Sequence, residues 1–338
     1  MTRTIKSLQA GRAIAAIAVV AHHSCIAIAD FIGGMPAVLQ RIFNYGYLGV
    51  DFFFVLSGFI IYYSNRNMPD RRDWSARYAA NRFTRIFIPY LPIGMGMAFV
   101  YTLRPDSVGA QRGWGWFPTL TLFPAGSPAL SVAWTLQHEV CFYGIFWLLL
   151  RTGQLLPGAL LWAASIVATN LFTTAPIIPL DLINLEFLFG IFAARCFLDD
   201  RIQTGPPWIM PGFIAIITFF LIGERNTSII FGFGLACLLV PLVRAERAGK
   251  LDAGPFLLLG SASYAIYLVH CPLISLSIRL SAMIGAGWLP TLVALLAAST
   301  VAGVAYHLLI EAPAIRLSRR LLFLSRARPE TPVALHVE

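Results

Sequence analysis

Six ionisable side chains interrupt long apolar stretches of this chain: Arg12, His23, Asp51, Glu139, Glu186 and His270. Each is costly to place in lipid, which marks it as a candidate for function. An imidazole is the side chain best matched to taking a proton from a hydroxyl near neutral pH, a buried carboxylate can orient it, and a guanidinium can hold an anion. Arg12 and His23 are eleven positions apart in the first apolar run. A helix turns ~100° per residue, so that spacing returns to within ~20° of the same azimuth and advances ~16 Å along the axis. One helical stripe therefore carries a cation near one membrane face and an imidazole near the other. His22 lies ~80° from Arg12 about the axis, so His23 faces the groove that Arg12 faces, and His22 is expected to pack or to meet the headgroup region.

The elements that must position these groups follow from composition. The chain has 338 residues, 58% hydrophobic and only 12% charged, with a mean hydropathy of +0.73. A soluble domain would carry about twice that charge fraction, so the fold class read here is an all-α polytopic membrane protein. At ~20 residues per span, ten helices are expected near 8–28, 46–64, 86–103, 132–150, 155–174, 181–198, 207–223, 228–243, 256–279 and 287–310. With both termini cytoplasmic, the inner segments hold most of the Arg, including Arg66, Arg71, Arg72, Arg77, Arg82, Arg85, Arg244, Arg247, Arg316, Arg319 and Arg320. The outer segments hold only Arg41, Arg104, Arg112, Arg225 and Arg279. This asymmetry obeys the positive-inside rule with an even number of spans and accounts for the net charge of +9 without nucleic acid as a partner. Arg3 and Lys6 before an apolar run ending in Ala27-Ile28-Ala29 resemble a signal peptide. The polar interruptions, and a topology that works only with the run kept, favour a retained helix. The domain reading is a membrane domain over 1–311 and a basic cytoplasmic tail over 312–338, which reads as a membrane-surface anchor.

Because successive helices reverse direction, the residues can be compared in depth. His23, Asp51, Glu139, Glu186 and His270 fall in an outer layer, and Arg12 lies inside, level with the basic stretch 71–85 and Arg195. Arg forks suit bidentate binding of phosphate, so the inner cluster points to a polyanion. Arg82 and Arg85, three apart on one face leading into the apolar run Ile86 to Pro92, are read as ligand-binding, whereas 66–77 are read as topology signals. The outer segment 104–131 carries Trp114, Trp116 and several prolines and is expected to form a folded cap. Its tryptophans either belong to the interfacial belt or stack on sugar rings. Cys25, Cys141, Cys196, Cys237 and Cys271 are scattered and read as small core residues, with no metal site expected. Ser57-Gly58, Ser261 and Ser263 read as close-packing surfaces. His138 is expected to bond backbone or water, and neither His307 nor His336 looks catalytic.

The same segments carry a resemblance. LQAGRAIAAIAVVAHHS (8–24), LGVDFFFVLSGFII (48–61), RFTRIFIPY (82–90), WTLQHEVCFYGIF (134–146), LGSASYAIYLVHCPLI (259–274) and IEAP (310–313) resemble, in order, motifs of the membrane acyltransferase family 3. The resemblance covers most of the chain, and the set is specific where each motif alone is weak. It departs modestly, with Ala10-Gly11 before the Arg and His22 where an aromatic is more usual.

The resemblance implies transfer of an acyl group, acetyl foremost, from cytoplasmic acyl-coenzyme A to a hydroxyl of a surface or exopolysaccharide glycan or its lipid-linked precursor, by a multi-pass protein of the bacterial inner membrane. The shortness of the chain and its Leu-Gln opening favour the exopolysaccharide branch. Carried over by position, His23 would be the essential histidine, Arg12 its motif partner, Arg82 and Arg85 the Arg-x-x-Arg pair and Glu139 the essential acid. Joined with the reading of the residues, this makes His23 and Glu139 the expected catalytic pair and Arg12, Arg82 and Arg85 the expected donor-binding groups, with Asp51, Trp134, Tyr143, His270, Trp114 and Trp116 as candidate supporting or substrate residues. In the expected mechanism Glu139 stabilises the His23 imidazolium, and direct transfer and an acyl-histidine intermediate both remain open. A transporter or flippase for a lipid-linked glycan is the competing class, since intramembrane Arg, His and Glu also line permeation routes. A membrane sensor is a third. No internal repeat supports the transporter, and the oligomeric state is not legible in the sequence.

Overall fold

A computed structural model describes residues 5–66, 73–107, 109–173, 177–199, 201–202, 205–224, 227–249 and 256–324. The calls on Arg3, Arg71, Arg72, Arg225, His336 and the end of the tail, 325–338, lie outside the described residues. The described chain is helical, with a single isolated bridge, Trp114 to Ser127, as its only β pairing.

In chain order the helices are α1 (Lys6–Phe31), α2 (Ala37–Asn44), α3 (Leu48–Asn65), α4 (Trp74–Leu103), α5 (Trp116–Thr121), α6 (Trp134–Arg151), α7 (Leu155–Phe172), α8 (Asn184–Leu198), α9 (Pro206–Ile222), α10 (Ser228–Arg247), α11 (Leu257–Met283), α12 (Trp288–Tyr306) and α13 (Ala312–Leu324). All ten apolar stretches read from the sequence are helices. Among the described residues, seven helical stretches are long and apolar enough to cross a membrane. α6 and α8 are not among the seven: α6 carries Gln137, His138 and Glu139, and α8 has 15 residues with Glu186 and Arg195. α9 is apolar but shorter.

The largest departure in length is α4, which begins twelve positions before the span expected at 86–103. The apolar pattern misses this first part because its inward face is made of Tyr78, Arg82 and Arg85. Pro89 and Pro92 lie inside the helix. Each proline removes a backbone donor, from the carbonyls of Arg85 and Ile88. Beside those positions two tyrosines bond the helix: Tyr264 Oη donates to the Ile86 carbonyl at 3.1 Å and Tyr306 Oη to that of Pro89 at 2.8 Å. The proline-bearing middle of α4 is thereby tied to α11 and α12.

α1 packs against α3, α11 and α12. Its inward face is Ala13, Ala16, Val19 and Val20, small enough for backbones to approach. A Cβ on Gly260 of α11 would strike the Gln9 carbonyl. The α3–α8 pair is equally tight, since a Cβ on Gly58 would meet the Phe187 carbonyl and one on Gly190 that of Val55. The close-packing role read for Gly58 is what the structure shows.

The segment between α4 and α6 folds into a cap, as its prolines predict, with Trp116, Phe117, Leu120 and Phe123 exposed and a buried base. Leu122, Ala129, Leu130 and Ala133 are buried, and Gln137 of α6 donates from Nε2 to the carbonyls of Phe123 at 2.8 Å and Gly126 at 3.0 Å. The base of the cap is thereby tied to the first turn of α6.

Candidate active site

A cavity of about 450 Å³ runs between α1, α3, α4, α6 and α11. Arg12, Arg82, Arg85, Glu139 and Tyr143 line it, joined by Tyr264, Tyr267, His307 and Arg319. The helical-face argument for Arg82 and Arg85 therefore holds, because both reach the same space. Each guanidinium lies over tyrosine rings, Arg82 at 5.4 Å from the Tyr143 centroid and 5.9 Å from that of Tyr78, and Arg85 at 5.1 Å from that of Tyr264. Cation–π contacts of this kind fix a charged fork without neutralising it.

Counter-charge comes from two carboxylates. Arg85 Nη1 reaches Glu311 Oε1 at 3.2 Å, and His307 Nδ1 reaches Glu311 Oε2 at 2.7 Å. Glu311 is fully buried at the end of a π-helical turn, His307–Glu311, between α12 and α13. Such turns reposition side chains locally, and this one brings residue 307 to the cavity although its place near the inner end of a span gave it no catalytic look. Arg12 Nε donates to Ser263 Oγ at 3.1 Å and stands within electrostatic reach of Arg85, Glu139 and Glu311. Ser263 and Ser57 thus do more than permit close packing, since Ser57 Oγ donates to Glu139 Oε1 at 3.3 Å. Tyr143 Oη donates to the same carboxylate oxygen.

Two expectations need correction. Glu139 does not stand in the outer layer. Thr135 Oγ1 meets Tyr267 Oη at 2.9 Å. From that level Glu139 lies one turn along α6 toward the arginines, and His270 lies nearly one turn along α11 the other way. The two are therefore separated by ~10 Å in depth. The hydrogen bonds that orient His23 run instead to the Val19 carbonyl, at 3.0 Å from Nδ1, and to His270 Nε2, at 3.3 Å. The second correction concerns the boundary at residue 311. α13 follows α12 through the π turn without a break, packs on α4 and carries Arg319 to the cavity.

The imidazole pair stands behind the cavity wall. Tyr267 lines the cavity, and its ring centroid is 5.6 Å from that of His270, whose own centroid is 5.0 Å from that of His23. His270 is fully buried. His22 is buried against Tyr47, ring centroids 5.8 Å apart. Asp51 and Glu186 are both buried, on the packed helices α3 and α8, and neither lines the cavity. His138 Nδ1 bonds Asn184 Oδ1 at 3.2 Å, a side chain rather than backbone or water. Trp134 packs edge-on against His138, and Trp114 against Trp116 and Tyr101. None of these tryptophans lines the cavity. The residues not singled out from the sequence are Glu311, Arg319, Tyr264 and Tyr267. Their only signals were the closing Glu-x-Pro and the two tyrosines of the late Ser-Tyr-x-x-Tyr segment.

The arrangement can hold a polyanion within one membrane half and offers an imidazole toward the other. Comparison with known proteins agrees with that chemistry. A family model described as an acyltransferase domain matches residues 5–308. The exopolysaccharide production protein ExoZ of Rhizobium meliloti (strain 1021) is 30% identical, over 82% of this chain and 92% of that protein. The acyltransferase MdmB of Streptomyces mycarofaciens is 28% identical, over 96% of this chain and 94% of that protein. No solved structure matches.

Proposed function

We propose that this chain, which belongs to the acyltransferase family whose model spans it, is an integral membrane O-acyltransferase. It moves an acyl group, acetyl foremost, from cytoplasmic acyl-coenzyme A to a hydroxyl of a surface glycan or its lipid-linked precursor. The likeness to an exopolysaccharide production protein supports the glycan as acceptor. Ten spans with both termini inside a bacterial cytoplasmic membrane place the arginine-lined cavity on the side where the donor is made.

The observation that carries the reading is the set of guanidinium groups at the cavity, Arg12, Arg82, Arg85 and Arg319. Arg82 Nε is buried with no acceptor among the described residues, an orphaned charged donor of the kind a phosphate oxygen satisfies. The donor's phosphates bind there and its acylated arm runs along the cavity toward Tyr267, behind which the imidazoles stand. His23 takes the proton from the acceptor hydroxyl as its oxygen attacks the thioester carbonyl, and the tetrahedral adduct expels the coenzyme thiolate, which ends as the free thiol. Glu139, held by Ser57 and Tyr143 and close to Arg12 in charge terms, organises the donor site rather than the base.

The test is direct. Purified protein in lipid nanodiscs, given acetyl-coenzyme A and a lipid-linked saccharide, is expected to release thiol in step with a mass increase of one acetyl unit on the saccharide. Movement of the saccharide across the bilayer with no thioester consumed would replace this reading by the flippase.

A further inference from the structure

The sequence offered a carboxylate as the orienting partner of His23, and the structure supplies an imidazole. We infer that His270 is the positioning residue for the base, an inference that rests on His23 being that base.

The hydrogens follow from the acceptors around the two rings. His270 Nδ1 lies 2.6 Å from the Tyr267 carbonyl. A carbonyl only accepts, so Nδ1 carries the hydrogen and Nε2 of the neutral ring is an acceptor. That Nε2 is 3.3 Å from His23 Nδ1, which is also 3.0 Å from the Val19 carbonyl. His23 Nδ1 therefore faces two acceptors and must itself carry a hydrogen, shared between them. Nε2 of His23 is left as the nitrogen that takes a proton. The opposite assignment, with His270 Nε2 donating, would set the lone pair of His23 Nδ1 against the Val19 oxygen.

Val19 belongs to the same helix and fixes the tautomer locally. His270 comes from α11 and fixes the ring's place in the bundle. When Nε2 gains its proton, the Nδ1–H bond to His270 becomes charge-assisted, so it strengthens as the reaction proceeds. A fully buried partner in a dry setting gains most from that change. His270 thus does for this base what a carboxylate does in a hydrolase triad, with no fixed negative charge buried in the membrane.

Cys271 Sγ lies 3.4 Å from His270 Nε2, and His23, His270 and Cys271 form a group close enough to hold a metal ion. A metal on His270 Nε2 would take the lone pair that accepts from His23 Nδ1, so the ion and the hydrogen-bonded pair exclude one another. The hydrogen-bonded pair is the arrangement the contacts favour.

Two variants separate hydrogen bonding from packing. H270F keeps ring volume and removes the acceptor, whereas H270Q keeps an acceptor at lower volume. H270F is expected to lower kcat ~10–100-fold with KM for acetyl-coenzyme A within ~2-fold, and H270Q to recover most of the loss. H270F as active as wild type, or H270Q worse than H270F, would overturn the assignment. A readout independent of turnover is 15N NMR of histidine-labelled protein, expected to show His23 and His270 neutral and carrying hydrogen on Nδ1. His23 found with its hydrogen on Nε2 would overturn the inference even in an inactive preparation, as would one retained zinc per chain whose removal abolishes activity. If instead H23A left glycan acylation unchanged, the reading of His23 as base would fall before this one.

Discussion

The two halves of the site solve opposite problems. In the arginine cavity, charge is abundant and space is left around it: about 450 Å³ bordered by four guanidinium groups, of which Arg12, Arg82 and Arg85 are steadied by a tyrosine face, a carboxylate or a hydroxyl. Around His23 and His270 contacts are close, and each ring nitrogen that the contacts define has a backbone or imidazole partner. A binding site for a polyanion must keep donors incompletely used so that the ligand can complete them. A proton-transfer site must do the reverse, fixing every hydrogen but the one that moves.

That contrast gives a set of experiments, and the largest effect belongs to the chemical half. H23A is expected to lower acyl transfer ~10²–10⁴-fold while donor affinity, read by calorimetry, stays near that of wild type. Loss of donor binding in this variant would erase the distinction between the halves. In the binding half, R82A is expected to weaken donor affinity ~10–100-fold, with turnover of bound donor far less affected. An unchanged dissociation constant would remove Arg82 from the donor site. E311Q keeps the hydrogen-bonding shape but removes the charge facing Arg85 and His307, leaving more of the Arg85 field for the donor. An affinity gain of ~2–5-fold that shrinks with added salt is the expected outcome, and a loss of affinity would mean that Glu311 serves mainly to aim Arg85. The smallest effect is reserved for the cap. W114A/W116A is expected to leave kcat/KM for donor and acceptor within ~2-fold, since both side chains pack outside the cavity. A change in acceptor selectivity would give the cap a role in sugar recognition.

The helices were legible because hydropathy is local. Ten apolar runs of spanning length became ten helices, and the pairing of Arg82 with Arg85 on one face needed only the helical repeat. The missed first third of α4 shows the limit of the same signal: where a helix turns Tyr78, Arg82 and Arg85 toward the bundle, its apolar pattern vanishes although its backbone continues. Arg12 and His23 share a stripe, as eleven residues of helix require, and that stripe alone could not say which side chain from another helix would meet each end.

The amino-acid sequence by itself determined the helical architecture, the stripe on α1 and which polar side chains interrupt the apolar helices, all of which depend on neighbours a few positions away. Only the tertiary structure decided partnership: Glu139 with the arginines, His270 with His23, Glu311 with Arg85 and His307. Depth between helices is set by how the helices pack and by where their connecting segments begin and end, neither of which leaves a trace in a helix's own residues. Azimuth and rise are encoded within a helix, whereas offset between helices is a property of the packed bundle.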